Sequence, residues 1–174
     1  MTKTVYLLRH AKSDWSDLTI SDHDRRLNSR GEKASSLIGH KLREMCVSPD
    51  TVICSTALRT KLTLNRIMDA GNFNWDPLYK RSLYAAGADR LLTEIHGLPE
   101  DQKSVLLVGH NPGIQDLALA LAGETDKSTK KRLRKKVPTG AFIRLDFDVN
   151  CFKRVAVGRG KLLYFMRPKH EFLQ

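Results

Sequence analysis

The chain has 174 residues, 41% of them hydrophobic, which is enough apolar side chain for one compact domain, expected over residues 1–174. No stretch approaches the roughly 20 apolar residues of a membrane-spanning helix, and the N-terminal apolar run is too short for a signal peptide, so we expect a cytoplasmic protein. Lysine and arginine outnumber acidic residues by 30 to 19, and the net charge of +11 suits a nucleic acid, a phospholipid or a phosphorylated ligand.

Short apolar runs alternate with segments of helical spacing along the first part of the chain. A buried strand is predicted at residues 5–8 and a second at residues 51–54, because each is a short apolar or β-branched run. The capping-box pattern of residues 29–32 begins the helix between them, which carries apolar residues at helical intervals as far as Met45. This order of elements is strand, helix, strand.

Three more helices are predicted from the same spacing, at residues 57–70, 89–96 and 114–121. Ser55 or Thr56 is the expected cap of the first of these, with Gly71 just past its end, and Gly123 is expected to stop the last. A third buried strand is predicted at residues 105–108. The remaining sequence is β-like, with strands expected at residues 141–147, 154–157 and 161–165.

This alternation predicts an α/β three-layer sandwich with a mainly parallel central sheet and the last strands antiparallel at one side. In open α/β sheets, ligands bind beyond the carboxyl ends of the strands. Three predicted strands end there in polar groups, which are Arg9-His10, Ser55 through Arg59, and His110-Asn111. A histidine after a strand is usually a structural or surface residue. Because such groups follow three strands that end at the same edge, the pattern favours a functional site over three unrelated structural residues.

Two guanidinium groups can bind the oxygens of a phosphoryl group, and a neutral imidazole between them can attack the phosphorus atom. The sequence has no Walker loop, no paired metal carboxylates and no cluster of His and Cys ligands. Its three cysteines are an odd number without a C-x-x-C pair, which indicates neither a disulfide framework nor a zinc site. We therefore expect phosphoryl chemistry without a metal and without a cofactor.

Three segments resemble the signature segments of the histidine phosphatase (phosphoglycerate mutase-like) superfamily in order and in spacing. They are Leu8-Arg9-His10-Ala11-Lys12-Ser13, Ser55-Thr56-Ala57-Leu58-Arg59-Thr60 and Gly109-His110-Asn111-Pro112. Residues 26–31, 137–141 and 167–169 further resemble the compact SixA-like branch, whose named activity is removal of phosphate from phosphohistidine in signalling proteins. The resemblance covers essentially the whole chain and implies a phosphoglycerate mutase-like fold and a phosphatase.

Residue by residue, the resemblance makes His10 the nucleophile that accepts the phosphoryl group. It makes Arg9, Arg59 and His110 the groups that close the phosphate pocket around it. These four residues are the predicted catalytic set.

Four further residues are weaker candidates, each with an ordinary structural alternative. Ser55 is predicted to position the pocket or to cap a helix. Asn111 is predicted to position the pocket or to form the turn before a proline. Ser13 or Lys12 is expected to touch substrate from the first loop, or to be a solvated loop residue.

One family feature is missing from this sequence. Many relatives carry a glutamate acid near the segment that corresponds to residues 83–87, where this chain has no carboxylate before Asp89. Protonation of an alkoxide leaving group contributes about 10²- to 10⁴-fold to rate, whereas a phosphoramidate can leave as neutral imidazole. The gap therefore favours phosphohistidine or another activated substrate, with Asp22, Asp24, Asp89 or His110 left as possible proton donors.

Two other functions stay open at this stage. A small-molecule phosphomonoesterase is the alternative enzyme, although the segment between His10 and Ser55 leaves little room for a lid over a small ligand. A non-catalytic module that binds phosphate or nucleic acid is the alternative of another class, based on the basic run at residues 127–136. No aromatic residues interleave that run, so base stacking is not indicated. The run is equally explained as a solvated helix face or as a surface that steers an acidic phosphoprotein.

Overall fold

A computed structural model of the protein describes residues 1–172, and seven strands of this region form one mixed sheet. In chain order they are β1 (Thr2–Arg9), β2 (Thr51–Ser55), β3 (Pro77–Lys80), β4 (Ser104–Gly109), β5 (Ala122–Glu124), β6 (Phe142–Asp148) and β7 (Gly160–Met166). Across the sheet the order is β3-β2-β4-β1-β6-β7-β5. The first four strands pair in parallel, β5 pairs in parallel with β7, and β6 is antiparallel to both β1 and β7. The predicted mainly parallel sheet is confirmed.

Helices cover both faces of the sheet and make the predicted three layers. They are α1 (Ser29–Glu44), α2 (Leu58–Gly71), α3 (Ala88–His96), α4 (Gly113–Leu121), α5 (Lys127–Lys135) and the one-turn α6 (Pro168–Glu171). Side chains alternate along β1, so Val5 and Leu7 pack on the side of α3 and α4. Tyr6 and Leu8 pack on the side of α1 and α2. Each fully buried leucine stabilises the fold by about 1.5–3 kcal/mol relative to an exposed one. Among the described residues, no helix is long and apolar enough to cross a bilayer.

The N-terminal cap of α1 is Asn28 rather than Ser29, so the predicted capping box is wrong by one residue. The Asn28 side-chain oxygen accepts a hydrogen bond from the Gly31 main-chain N–H at 2.9 Å. The main-chain N–H of Asn28 donates to the Lys12 oxygen at 3.0 Å, which holds Asn28 in the extended conformation that a cap needs. The first turn of α1 is thereby attached to the loop that follows β1.

Neither Ser55 nor Thr56 caps α2, which has Ala57 at its N-cap and no side-chain cap. The Ser55 hydroxyl accepts from the Ala57 N–H at 3.3 Å and contacts His110 instead. Gly71 is the last helical residue rather than the residue beyond it, and Asn72 adopts the left-handed conformation with φ 50°. A Cβ at position 71 would lie 2.9 Å from the Gly39 oxygen, so close contact between α1 and α2 requires glycine there.

Other differences from the prediction lie at the edges of the sheet. The strand expected at residues 154–157 is absent, because the 3-10 turn Phe152–Arg154 directs the fully buried Phe152 into the core. The short strand β3 at one sheet edge and β5 at the other have no apolar run that predicts them. Gly123 lies inside β5 rather than acting as a helix stop.

Candidate active site

The sheet topology brings three strand ends to one edge. Strands β1, β4 and β2 are adjacent and parallel, with Arg9 beside Gly109 and Cys54 beside Val108. His10 follows β1, Ser55 ends β2 and His110 follows β4. Parallel neighbours must present their carboxyl ends together, so these side chains meet without any special loop.

A pocket of about 480 Å³ opens at this edge. Of the residues predicted from sequence, those that line it are Arg9, His10, Lys12, Ser13, Arg59, His110 and Asn111. Ser55 lies behind the pocket, with its hydroxyl on the His110 ring. Asp22, one of the possible proton donors, also lines the pocket, and the further lining residues are Trp15, Tyr84, Ala85 and Thr139.

The ring of His10 has a fixed tautomer. Its Nδ1 atom lies 2.7 Å from the Ala11 main-chain oxygen, and a carbonyl can only accept, so Nδ1 carries the proton. The Nε2 atom therefore keeps its lone pair. Burial lowers the pKa of His10 to about 4, and the neighbouring Arg59 and Arg9 charges act in the same direction. His10 is thus a neutral imidazole at pH 7.

His110 is held in the opposite tautomer. Its Nε2 lies 2.8 Å from the Ser55 hydroxyl and its Nδ1 lies 3.3 Å from an Arg59 nitrogen. Because Arg59 can only donate, Nδ1 accepts and the Nε2–H donates to Ser55. Burial lowers the pKa of His110 to about 3, with His10 and Arg59 contributing. The two histidine rings are 5.3 Å apart between centroids.

Two arginines bring guanidinium groups to the pocket. Arg9 donates from its terminal nitrogen to the Val137 main-chain oxygen at 2.8 Å, while its buried Nε–H has no hydrogen-bond partner within residues 1–172. Arg59 donates to the Asp22 main-chain oxygen and to its carboxylate, the latter at 3.0 Å. A bound oxyanion would accept hydrogen bonds from the guanidinium groups of Arg9 and Arg59, both of which line the pocket.

The comparisons with known proteins agree with this geometry. The model of the histidine phosphatase superfamily, branch 1, matches residues 5–83. A protein assigned as the phosphohistidine phosphatase SixA of Nakamurella multipartitia is 30% identical, covers 97% of each chain and has a TM-score of 0.83. A protein assigned likewise from Agrobacterium tumefaciens is 31% identical, with 95% of this chain and 98% of that chain covered and a TM-score of 0.81. This chain belongs to the histidine phosphatase superfamily.

Its place in the superfamily is the SixA-like branch, as the sequence resemblance implied, and the protein is a phosphatase. The phosphoglycerate mutase-like fold is likewise confirmed. An uncharacterised protein of Mycobacterium leprae is also similar, with 35% identity over 143 residues that cover 80% of this chain and 86% of that relative.

The pocket is supported by two residues that the sequence analysis did not assign to the site. The Ala11 N–H donates to the Thr63 hydroxyl at 2.9 Å, and that hydroxyl donates to the Arg59 main-chain oxygen at 2.7 Å. The Gly140 N–H donates to the His10 main-chain oxygen at 2.9 Å, with Gly140 at φ +76°. Thr63 has no sequence signal of its own, whereas Gly140 belongs to a segment that resembles the SixA-like branch.

The weaker site candidates of this histidine phosphatase have mainly structural contacts. The Ser13 hydroxyl accepts from the Trp15 indole N–H at 3.1 Å. The Asn111 amide donates to the Val137 main-chain oxygen at 3.0 Å. Of the carboxylates considered as proton donors, Asp22 lines the pocket, whereas Asp24 and Asp89 do not. Within residues 1–172, no group of three or more His, Cys, Asp or Glu side chains is placed to hold a metal ion.

Proposed function

We propose that this phosphatase is a metal-independent phosphohydrolase that uses His10 as its nucleophile and removes phosphate from phosphohistidine in a signalling protein. The observation that carries the proposal is the hydrogen bond from His10 Nδ1 to the Ala11 oxygen at 2.7 Å. It leaves the Nε2 lone pair of a buried, neutral imidazole available in a pocket that also contains Arg9 and Arg59. The single domain is proposed to extend over the whole chain.

In the first step, Nε2 of His10 attacks the phosphorus atom as the P–N bond of the substrate breaks. The bonding pair goes to the substrate nitrogen, whose ring already carries a proton on its other nitrogen, so a neutral imidazole departs. Arg9 and Arg59 stabilise the charge on the phosphoryl oxygens. The Ala11 oxygen stabilises the positive charge that develops on the His10 ring.

In the second step, water attacks the phosphorus atom of phosphorylated His10 and the P–N bond to Nε2 breaks. Orthophosphate leaves and His10 returns to its neutral form. Both protons of the water leave on the phosphate, which balances the charges without a base. Because His110 Nδ1 accepts from Arg59, His110 is proposed to hold that guanidinium against the phosphoryl oxygens. Ser55 is proposed to hold the His110 ring in the orientation that this contact requires.

The choice of a phosphoramidate substrate is supported by the state of Asp22. Partial burial raises its pKa, but hydrogen bonds from Tyr84 and Arg59 outweigh that effect and hold the pKa below its usual value. Asp22 is therefore a carboxylate at neutral pH and cannot protonate an alkoxide leaving group. Phosphohistidine needs no such acid. Ser13, Lys12 and Asn111 are proposed to contact the substrate from the pocket wall.

A turnover panel tests this proposal. We expect a phosphohistidine protein to exceed phosphoserine and a sugar phosphate in kcat/KM by about 10²-fold or more, because only the first needs no acid. Preference for the sugar phosphate would instead identify a small-molecule phosphomonoesterase. Salt-dependent nucleic-acid binding with no turnover of an activated aryl phosphate would identify a binding module.

The nucleophile and the absence of a metal requirement are tested with the same assay. His10→Ala should abolish turnover and the acid-labile phosphoenzyme detected by mass spectrometry, whereas His40→Ala, at an exposed position on α1, should keep both. Excess chelator should not change activity, and vanadate should inhibit it. Full activity of His10→Ala would overturn the mechanism. So would a loss of activity in chelator that one divalent ion restores.

A further inference from the structure

Asp22 is the one carboxylate among the described residues that line the pocket. One of its side-chain oxygens accepts from Arg59 at 3.0 Å and from the Tyr84 hydroxyl at 2.8 Å. Its other side-chain oxygen lies 4.0 Å from the Arg25 Nε. An acidic group in a pocket that binds an anion weakens binding of that anion. The presence of Asp22 therefore indicates a role that outweighs the loss of phosphate affinity.

The carboxylate lies nearer to solvent than the histidines and Arg59 of the pocket. His10, Arg59 and His110 are 7%, 7% and 6% exposed, whereas the Asp22 side chain is 49% exposed. In an in-line displacement the leaving group lies opposite the attacking atom. A phosphoryl group bound over the buried His10 therefore directs its leaving group towards the pocket opening, where Asp22 lies.

We propose that Asp22 is a specificity-determining residue that selects leaving groups by charge. Its negative charge favours a leaving group that carries positive charge, such as the protonated ring of phosphohistidine, and disfavours one that carries a carboxylate. Tyr84 and Arg59 are positioning residues that hold the carboxylate at the opening. This role deepens the proposed function, because it rests on a phosphoryl group bound over His10.

Binding of non-hydrolysable benzylphosphonates tests this role without any turnover. Three such ligands, with a cationic, a neutral and an anionic substituent on the ring, are titrated into the full chain by calorimetry. Asp22→Asn removes the charge and keeps an oxygen that accepts from Arg59 and Tyr84. For each charged ligand the quantity compared is its affinity divided by that of the neutral ligand. We expect Asp22→Asn to raise this ratio about fivefold for the anionic ligand and to lower it about fivefold for the cationic ligand.

A matched control comes from the other end of the 3-10 turn Asp22–Asp24. Asp24 is also an exposed carboxylate, hydrogen-bonded to Ser21 at 2.7 Å, but it does not line the pocket. Asp24→Asn should leave the ratios of the three affinities within about twofold of those of the unaltered protein. Unchanged ratios in Asp22→Asn, or an equal change for all three ligands, would overturn the proposal. Because no step in this experiment needs catalysis, failure of the His10 mechanism would show separately as absent turnover.

Discussion

The Ala11 main-chain N–H donates to the hydroxyl of Thr63 at 2.9 Å. The Ala11 oxygen accepts from His10, and the Thr63 hydroxyl donates to the Arg59 main-chain oxygen. One buried side chain on α2 therefore fixes both the peptide that sets the His10 tautomer and the backbone of an arginine that lines the pocket. Such indirect support is needed because a shift of about 1 Å at a reacting group can cost about 10²-fold in rate.

Thr63→Val should therefore reduce kcat more than it changes KM. Valine has nearly the same shape but leaves the buried Ala11 N–H without a partner, which should also lower the free energy of unfolding by about 1–3 kcal/mol. Steady-state kinetics on an aryl phosphate and urea denaturation would measure both effects. Thr93→Val is the control, because that hydroxyl makes the same bond within an exposed helix turn. Equal kinetics in the two variants would contradict a supporting role for Thr63.

The two buried histidines should make stability depend on pH. The pKa is about 4 for His10 and about 3 for His110, against about 6.5 in an unfolded chain. Between these values the unfolded state binds protons that the folded state does not bind. The stabilisation is therefore fully present above about pH 6.5 and is lost as the pH falls towards 4.

Urea denaturation at pH 7.5 and at pH 5.0 would measure this effect. We expect the free energy of unfolding to fall by up to about 2 kcal/mol for each ring over this range. His110→Gln should reduce the fall, whereas His40→Gln, at an exposed position, should not. A fall of the same size in all three proteins would show that other groups are responsible.

That three of the proposed catalytic residues meet at one sheet edge could be predicted, because strand ends are encoded by short buried apolar runs and parallel neighbours place their ends together. Arg9, His10 and His110 directly follow or end such runs. Asp22 could be named only as one of several possible proton donors, and Tyr84 was not assigned to the site. Asp22 begins the 3-10 turn Asp22–Asp24 and Tyr84 follows the 3-10 turn Arg81–Leu83, and the course of such short turns depends on tertiary contacts. The cap of α1 was predicted one residue too late, because a sequence pattern does not show that Asn28 is attached to the Lys12 oxygen of the loop after β1.

Gly31 links the stability of α1 to the active-site loop. A Cβ at this position would overlap the Lys12 main-chain oxygen, so the loop after β1 would have to move. Gly31→Ala should lower the free energy of unfolding by about 1–3 kcal/mol despite the better helix propensity of alanine. It should also lower kcat/KM, because Lys12 adjoins the Ala11 peptide.

Gly97→Ala is the matched control for this substitution. Gly97 has helical backbone angles, and a Cβ there would have only ordinary contacts at 3.6 and 3.7 Å. We expect a gain of about 0.4–1 kcal/mol in stability and unchanged kinetics, because alanine reduces the entropy of the unfolded chain. Thermal denaturation of Gly31→Ala and Gly97→Ala would measure the two changes in stability. If Gly31→Ala were as stable as Gly97→Ala, the contact between α1 and the loop would not be tight.

The basic helix α5 adjoins the pocket through the residues that follow it. The Val137 main-chain oxygen accepts from Arg9 at 2.8 Å and from Asn111 at 3.0 Å, while Leu133 is the buried residue that packs the helix onto the protein. The chain just after α5 is thus held beside the pocket, and no lysine of α5 lines the pocket. Rim charges mainly change association rates.

Four lysines of this segment should therefore affect a protein substrate and not a small one. Replacement by glutamine of Lys130, Lys131, Lys135 and Lys136 should leave kcat/KM for an aryl phosphate nearly unchanged. It should lower the apparent second-order rate on an acidic phosphoprotein at low salt, and the difference should shrink at physiological ionic strength, where charges are screened over about 8 Å. Arginine at the same positions keeps the charge and should keep the rate. If both substrates respond equally, or the phosphoprotein does not respond, α5 is only a solvated helix.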